Sequence, residues 1–225
     1  MIKLEKLVKN FSSGDREFTA LHGIDLCIEK GEFTGIVGPS GSGKSTLLNI
    51  IGTLDIPTEG KAIVMGKDVS TLSAKESAAL RNESIGFIFQ SFNLLPVYTV
   101  YENVEFALLL QGMKKEARQQ AVMDALEWTG LTDKKDRKPA QLSGGECQRV
   151  AIARAIVKRP QIVIADEPSA NLDAENTHNI LKTMKRLNEE LGTTFIFATH
   201  DEKVMHYLSR TITLEDGRIV KDFTK

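Results

Sequence analysis

The chain has 225 residues, 41% of them hydrophobic, with 29 Lys and Arg against 30 Asp and Glu. That length suits one α/β domain with subdomains rather than two independent domains. The balanced charge gives no net field for a polyanion, so nucleic acid is not the expected partner. Met1-Ile-Lys-Leu-Glu-Lys6 has charges where a signal peptide needs an apolar core, and the longest aliphatic or aromatic run is only Phe106 to Leu110. The expectation is a chain neither secreted nor membrane-spanning. Cys27 and Cys147 lie far apart without C-x-x-C spacing, which argues against a disulfide framework or zinc site and fits a reducing cytoplasm.

Taken in order, Ile2 to Phe11 and Ala20 to Ile28 read as a hairpin across a Ser-Ser-Gly-Asp turn at 12–15. Phe33 to Val37 is an apolar strand, followed by a helix to about Leu54. Lys61 to Met65 reads as a short strand, and Ser73-x-x-Glu76 is a capping box opening a helix to about Arg81. Ile85 to Phe89 is β-rich. Thr99-x-x-Glu102 caps another helix, Lys114 to Trp128 is helical, and Ser143-x-x-Glu146 caps a third to about Lys158. Ile162 to Ala165 has the continuous apolar pattern of a parallel strand covered on both faces. A helix over Ala174 to Leu191, a strand over Thr194 to Ala198, a short helix near Glu202 to Leu208 and a strand pair around Gly217 follow. Strands alternating with helices around a helical insertion imply an α/β core: 1–90 and 159–225 hold the β subdomain and core, and 91–158 the helical subdomain. The basic run Lys134, Lys135, Arg137 and Lys138 reads as a solvated loop.

Between the strand ending at Val37 and its helix stand Gly38, Pro39, Ser40, Gly41, Ser42, Gly43, Lys44, Ser45 and Thr46, which fit G-x-x-x-x-G-K-[ST]. The glycines let backbone N–H groups turn inward at a helix N-terminus and cradle a polyphosphate. Lys44 reaches the β- and γ-phosphates, and the Ser45 hydroxyl ligates Mg²⁺. A plain Gly/Ser-rich turn is the competing reading, and strand, loop and helix in register argue against it.

Phosphoryl transfer also needs a metal ligand opposite this loop and a group that orients water. Asp166 and Glu167 leave the carboxyl end of the buried strand, where such sheets bind ligands. Asp166 suits the metal and Glu167 the general base. Gln90, after another strand, could touch both Mg²⁺ and water. His200 could reach the γ-phosphate, although a lone histidine is more often a satisfied structural residue. Ser143, Gly144, Gly145 and Glu146 are a helix cap, and the paired glycines also expose N–H groups to an anion. A head-to-tail dimer reconciles two phosphate sites in one chain, each Ser143 helix end closing on the other copy's loop.

Together these residues resemble the ATP-binding cassette (ABC) family, the ATPase subunits of ABC transporters, over essentially the whole chain. Leu142-Ser-Gly-Gly-Glu146 resembles its signature motif, between the glutamine loop at Gln90 and Walker B at Ile162 to Glu167. The resemblance implies a P-loop NTPase fold with an N-terminal antiparallel β subdomain. It makes Ser169-Ala-Asn-Leu-Asp173 the loop through which the two copies communicate, His200 a switch histidine, and Phe11 an adenine-stacking ring where many relatives have tyrosine. It implies ATP and Mg²⁺ as cofactors, an ATP-bound homodimer, integral membrane permease subunits as partners, and a cytoplasmic place on the inner face of the cell membrane. The Leu-Leu-Asn after the phosphate loop, Phe-Gln-Ser-Phe-Asn-Leu-Leu-Pro96 and Asn-Leu-Asp173 are most similar to the lipoprotein-releasing, macrolide-export and cell-division branch. Glu146 stands where glutamine is commoner, and Cys147 replaces a polar or basic residue, which suggests sensitivity to alkylation. Phe89, Phe92, Leu94, Leu95, Pro96, Val97 and Tyr98 offer a dock for a partner's helix, or else fold into the helical subdomain. No N-K-x-D guanine-reading pattern supports a GTPase, and no long coiled coil precedes the signature as a chromosome-maintenance ATPase requires. A soluble cassette, or one that drives a membrane complex without transport, remains open.

Overall fold

Alternating patterns along the N-terminal hairpin leave one face to be covered, while the continuous apolar runs further on must be covered on both. The computed structural model, which describes residues 1–14 and 16–225 and only the backbone at Ser13 and Arg16, meets both demands with two sheets. β1 (Ile2–Ser13) and β2 (Arg16–Ile28) pair antiparallel further than expected, because the register continues past Phe11 opposite Phe18. Of the expected turn, Ser12 and Ser13 are strand, and Asp15 lies outside the described residues. β3 (Phe33–Val37) leads into α1 (Lys44–Ile51). That helix stops short of Leu54, with Gly52 as its C-cap and Thr53 left-handed at φ 56°. β4 (Glu59–Val64) and β5 (Lys67–Asp68) complete a four-stranded antiparallel sheet in the order β2-β1-β4-β5.

The capping boxes at Ser73, Thr99 and Ser143 all form, each side chain accepting from the N–H three residues on while the glutamate reaches back. They start α2 (Ala74–Ser84), α3 (Val100–Leu109) and α5 (Gly144–Ile156), with β6 (Ile85–Ile88) after α2 and α4 (Lys115–Trp128) after α3. β7 (Ile162–Asp166), α6 (Ala174–Leu191), β8 (Thr194–Thr199), α7 (Glu202–Met205), β9 (Arg210–Glu215) and β10 (Arg218–Thr224) follow. The second sheet has the order β10-β9-β3-β8-β7-β6, parallel from β9 to β6 with β10 as an antiparallel edge. The strands that precede the phosphate loop, His200, Walker B and Gln90 are therefore neighbours pointing the same way.

Three apolar clusters hold the layers. One joins α1 and one face of the parallel sheet to the hairpin sheet through Leu7, Leu21, Leu47, Ile51 and Ile164. A second covers the other face with α5 and α6, around Phe33, Phe195 and Phe197. The third is the core of the helical region, from Val100, Val104, Val122 and Leu126. α5 serves two of them: Ile152 and Ile156 face the sheet, whereas Val150, Ala153 and Val157 face α3 and α4. The helix carrying Ser143 to Glu146 is thus a wall shared by core and insertion.

Asn103, fully buried on α3, fixes the loop after Gln90. Its Oδ1 accepts from Leu95 N at 2.8 Å, and its Nδ2 is within 3.1 Å of the Leu95, Tyr98 and Thr99 carbonyls. Asn103→Leu strands several buried backbone groups at once and should cost about 2–4 kcal/mol. Thermal unfolding checks the cost, and hydrogen exchange should place the lost protection within 95–99.

Candidate functional site

The loop after β3 bends sharply. Gly38 has φ 152°, and a Cβ there would lie 2.0 Å from the Leu214 carbonyl oxygen, so only glycine fits. Lys44 is 7% exposed, and its Nζ donates to the Gly38 and Pro39 carbonyls at 2.8 and 2.9 Å. Ser42 Oγ is buried without a hydrogen-bond partner. A polyanion fits here: it would satisfy an ammonium held only by neutral carbonyls, at a nest of N–H groups that opens α1.

Burial pushes the carboxyl of Asp166, at the end of β7, above the usual carboxylate range, against the pull of the neighbouring Ser45 hydroxyl and the Lys44 charge. Ser45 and Asp166 bring together two oxygen donors of the kind a Mg²⁺ ion takes. Glu167 is left-handed at φ 46°, with its N–H on the Ala198 carbonyl. Its Oε1 lies 2.7 Å from His200 Nδ1, and its Oε2 accepts from Thr199 Oγ1 at 3.2 Å. His200 is expected on a γ-phosphate; here its imidazole is on Glu167. Gln90 is exposed at the end of β6, and its carbonyl accepts from Asn171 Nδ2 at 2.9 Å.

Phe11, 43% exposed, lines a cavity of about 200 Å³ together with Gly41, Gly43, Lys44, Ser45 and Thr46. Phe18 lines it as well and sits opposite Phe11 in the hairpin register, a partner the sequence reading missed. Lys9 Nζ stands 5.0 Å from the Phe11 ring centroid, so a cation already covers part of that ring.

Ser143 to Glu146 do not line this cavity; they lie against the loop after Walker B. Gly145 is required there, since a Cβ would meet Asn176 Oδ1 at 2.4 Å. Gln148, fully buried and missed from sequence, donates to the Pro168 carbonyl at 2.8 Å. The basic run is only partly solvated. Lys135, Arg137 and Lys138 are exposed, but Lys134 Nζ lies 2.5 Å from Glu146 Oε1, and the Lys135 and Arg137 carbonyls cap the start of α3. The Cys147 thiol is buried, and burial pushes it up, which argues against ready alkylation.

The apolar run 89–98 divides. Leu94 packs into the helical core, Val97 and Tyr98 are exposed, and Phe89 alone reaches a groove of about 330 Å³. Leu54, Phe87, Phe106 and Leu110 supply the rest of its apolar wall. Of the run 89–98 only Phe89 therefore lines this groove, whose walls come from α2, β6, α3 and α5, while Asn103 holds the 95–99 segment by its backbone.

The sequence model of the ABC transporter family matches residues 21–170. The chain belongs to the ABC transporter family. This cassette is 46% identical over 220 residues to the uncharacterized ABC transporter ATP-binding protein YknY of Bacillus subtilis, covering 98% of this chain and 95% of that one. It is 46% identical over 222 residues to the lipoprotein-releasing system ATP-binding protein LolD of Bacteroides thetaiotaomicron, covering 99% and 100%. Among solved structures, the dimeric post-hydrolysis state of the ATP-binding cassette MJ0796 bound to ADP and Pi superposes with a TM-score of 0.91 at 42% identity, covering 100% of this chain and 98% of that one. The expected fold and branch are borne out. The cassette is an ATPase whose ligands are ATP and Mg²⁺. Among the described residues no helix is long and apolar enough to cross a membrane.

Glu146 gives a pH test. Hydrogen bonds from Lys134 and from the Ser143 backbone, in that order, hold its carboxyl down at about 2, against 4.5 for an ordinary glutamate. A depressed folded value contributes stability above the unfolded pKa, which is lost as pH falls through the folded one. The stability advantage of the native protein over Glu146→Gln should therefore be constant above about pH 5 and fade between 4.5 and 2. Denaturant melts across that range measure it.

Proposed function

We propose that this cassette hydrolyses ATP between two head-to-tail copies and transmits the closure to an integral membrane permease, from a peripheral place on the inner face of the cell membrane. The reading rests most on the meeting of Lys44, Ser45, Asp166 and Glu167 at the carboxyl ends of the parallel strands β3 and β7, which flank β8. In this reading the 38–46 loop and Lys44 hold the triphosphate, Phe11 and Phe18 face the base, and Ser45, Gln90 and Asp166 hold the metal. When bound, Mg²⁺ neutralises charge on the β- and γ-phosphate oxygens. Glu167 accepts a proton from the water that attacks the γ-phosphorus as the bond to the bridging oxygen breaks and ADP leaves. His200 and Thr199 hold that carboxylate from both oxygens, which orients the base before substrate arrives.

Ser143 to Glu146 would close on the nucleotide of the second copy, since they stand away from the cavity of their own chain. The dimeric form of MJ0796 supports that arrangement. Similarity to LolD favours a lipoprotein-releasing type of partner. The groove of Leu54, Phe87, Phe89, Phe106 and Leu110 would receive a helix of the permease; Leu54, Phe106 and Leu110, 49%, 37% and 63% exposed, gather there as an apolar patch. The domain division fits this work: the helical insertion carries the signature and one wall of the groove, and α5 joins it to the core.

Glu167→Gln should bind ATP normally, lose about 10²-fold or more in turnover, and persist as a dimer in ATP. Single-turnover kinetics and size-exclusion chromatography read these outcomes, and unchanged turnover removes Glu167 as the base. Leu110→Asp should abolish co-purification with the permease in detergent. A folded Leu110→Asp cassette that still co-purifies overturns the docking assignment.

A further inference from the structure

The carboxylate of Glu146 stands on the first turn of α5, at the end offered to an anion. Its Oε2 accepts from Ser143 N at 2.7 Å, and Ser143 Oγ accepts from Glu146 N at 3.3 Å. The cap therefore uses the hydroxyl of exposed Ser143 and leaves the first N–H groups of the helix to face outward. Glutamine would close the same cap without a charge. Glutamate closes it with a full negative charge, on the turn where the helix dipole otherwise attracts phosphate.

Lys134 answers that charge. It reaches across from the turn that follows α4, and its Nζ lies 2.5 Å from Glu146 Oε1, with side-chain exposures of 26% and 15% for lysine and glutamate. The backbone around it is fixed, since Lys134 N donates to Leu131 O and its carbonyl accepts from Arg137 N. Leu131 is fully buried in the helical core, so the lysine is delivered from a packed turn.

We propose that Lys134 is a positioning residue for nucleotide-driven dimerisation: it neutralises Glu146 and thereby lets the N-terminus of α5 meet the triphosphate held by a second copy. The inference rests on the head-to-tail reading above. It explains how this chain uses a glutamate at a position that faces an anion, and it assigns a role to a lysine that charge patterning places in a solvated loop. Removing Lys134 leaves the cap intact but restores a repulsive charge, so the loss appears in the ATP concentration that closes the dimer.

The test uses the Glu167→Gln protein, with dimerisation followed by analytical ultracentrifugation against ATP. Lys134→Gln should raise the ATP midpoint about five- to tenfold, the scale of one uncompensated charge at a helix terminus. Combined with Glu146→Gln, the same substitution should move the midpoint less than about twofold, and Lys134→Arg should leave it in place. An equal shift in both backgrounds, or none in either, overturns the proposal; the first outcome makes Lys134 merely structural. If Lys134→Gln melts, Lys134→Glu with and without Glu146→Lys replaces it, and failure of the reversed pair to restore closure overturns the proposal. Ser143→Arg separates the two layers of argument. A Ser143→Arg protein that dimerises at unchanged ATP removes the head-to-tail reading and this inference with it. A monomeric one alongside an unshifted Lys134→Gln removes the inference alone.

Discussion

The buried ammonium of Lys44 is the constraint on which the site depends. It is nearly excluded from solvent and makes no ion pair among the described residues, so two backbone carbonyls are all that hold it. Such a cation is costly unless a polyanion arrives, and the loop geometry makes any other use of it difficult. Asp166 is close enough to feel the charge but is spent on Ser45. Burial pushes Asp166 toward its neutral form, which a divalent cation would reverse, while the Lys44 ammonium is placed for phosphate.

Around that pocket, side chains with no reach to the nucleotide fix the loops that have it. Arg154 on α5 donates to the Phe92 and Asn93 carbonyls at 2.7 and 2.6 Å. Those two residues are consecutive left-handed positions, at φ 61° and 49°, a conformation that needs such support. Gln148 on the same helix holds Pro168, and Asn171 holds the Gln90 carbonyl. One helix therefore grips the segment after the glutamine loop and the segment after Walker B, while its N-terminus carries the signature. A displacement of α5 has to be felt at both loops, because the contacts are hydrogen bonds to backbone and not slack side-chain packing.

Legibility from the sequence followed locality. The phosphate loop, the three capping boxes and α6 are set by residues a few positions apart, and Ala174–Leu191 is the helix the pattern draws. The apolar run before Asp166 carried its burial on its face, as a strand covered twice must. What escaped depends on which distant element arrives. Phe18 falls outside the strands the pattern draws, and only the longer hairpin register sets it opposite Phe11. Asn103 reads as a polar intrusion on an apolar helix face, and its meaning comes from the carbonyls of 95–99 folded over it. Lys134 is one of four basic residues in a row of five, and only packing of Leu131 selects it to meet Glu146. The 89–98 run misled for the same reason, since hydropathy cannot say which apolar side chains the helical core claims.

The two ends of the phosphate chemistry are built to opposite electrostatic rules. The loop end presents a cation without an anion, and the signature end presents an anion with its own cation already attached. A single chain can hold a triphosphate at the first end, but its own second end faces elsewhere, against Asn171 and Leu172. In the proposed head-to-tail reading a second copy supplies the missing wall. A neutralised helix terminus then gains from approach to the phosphate, whereas the bare glutamate would resist it. Closure is favourable when the nucleotide carries its terminal phosphate and less so once that group is gone. In that reading the difference between those two states is the free energy available to move a membrane partner.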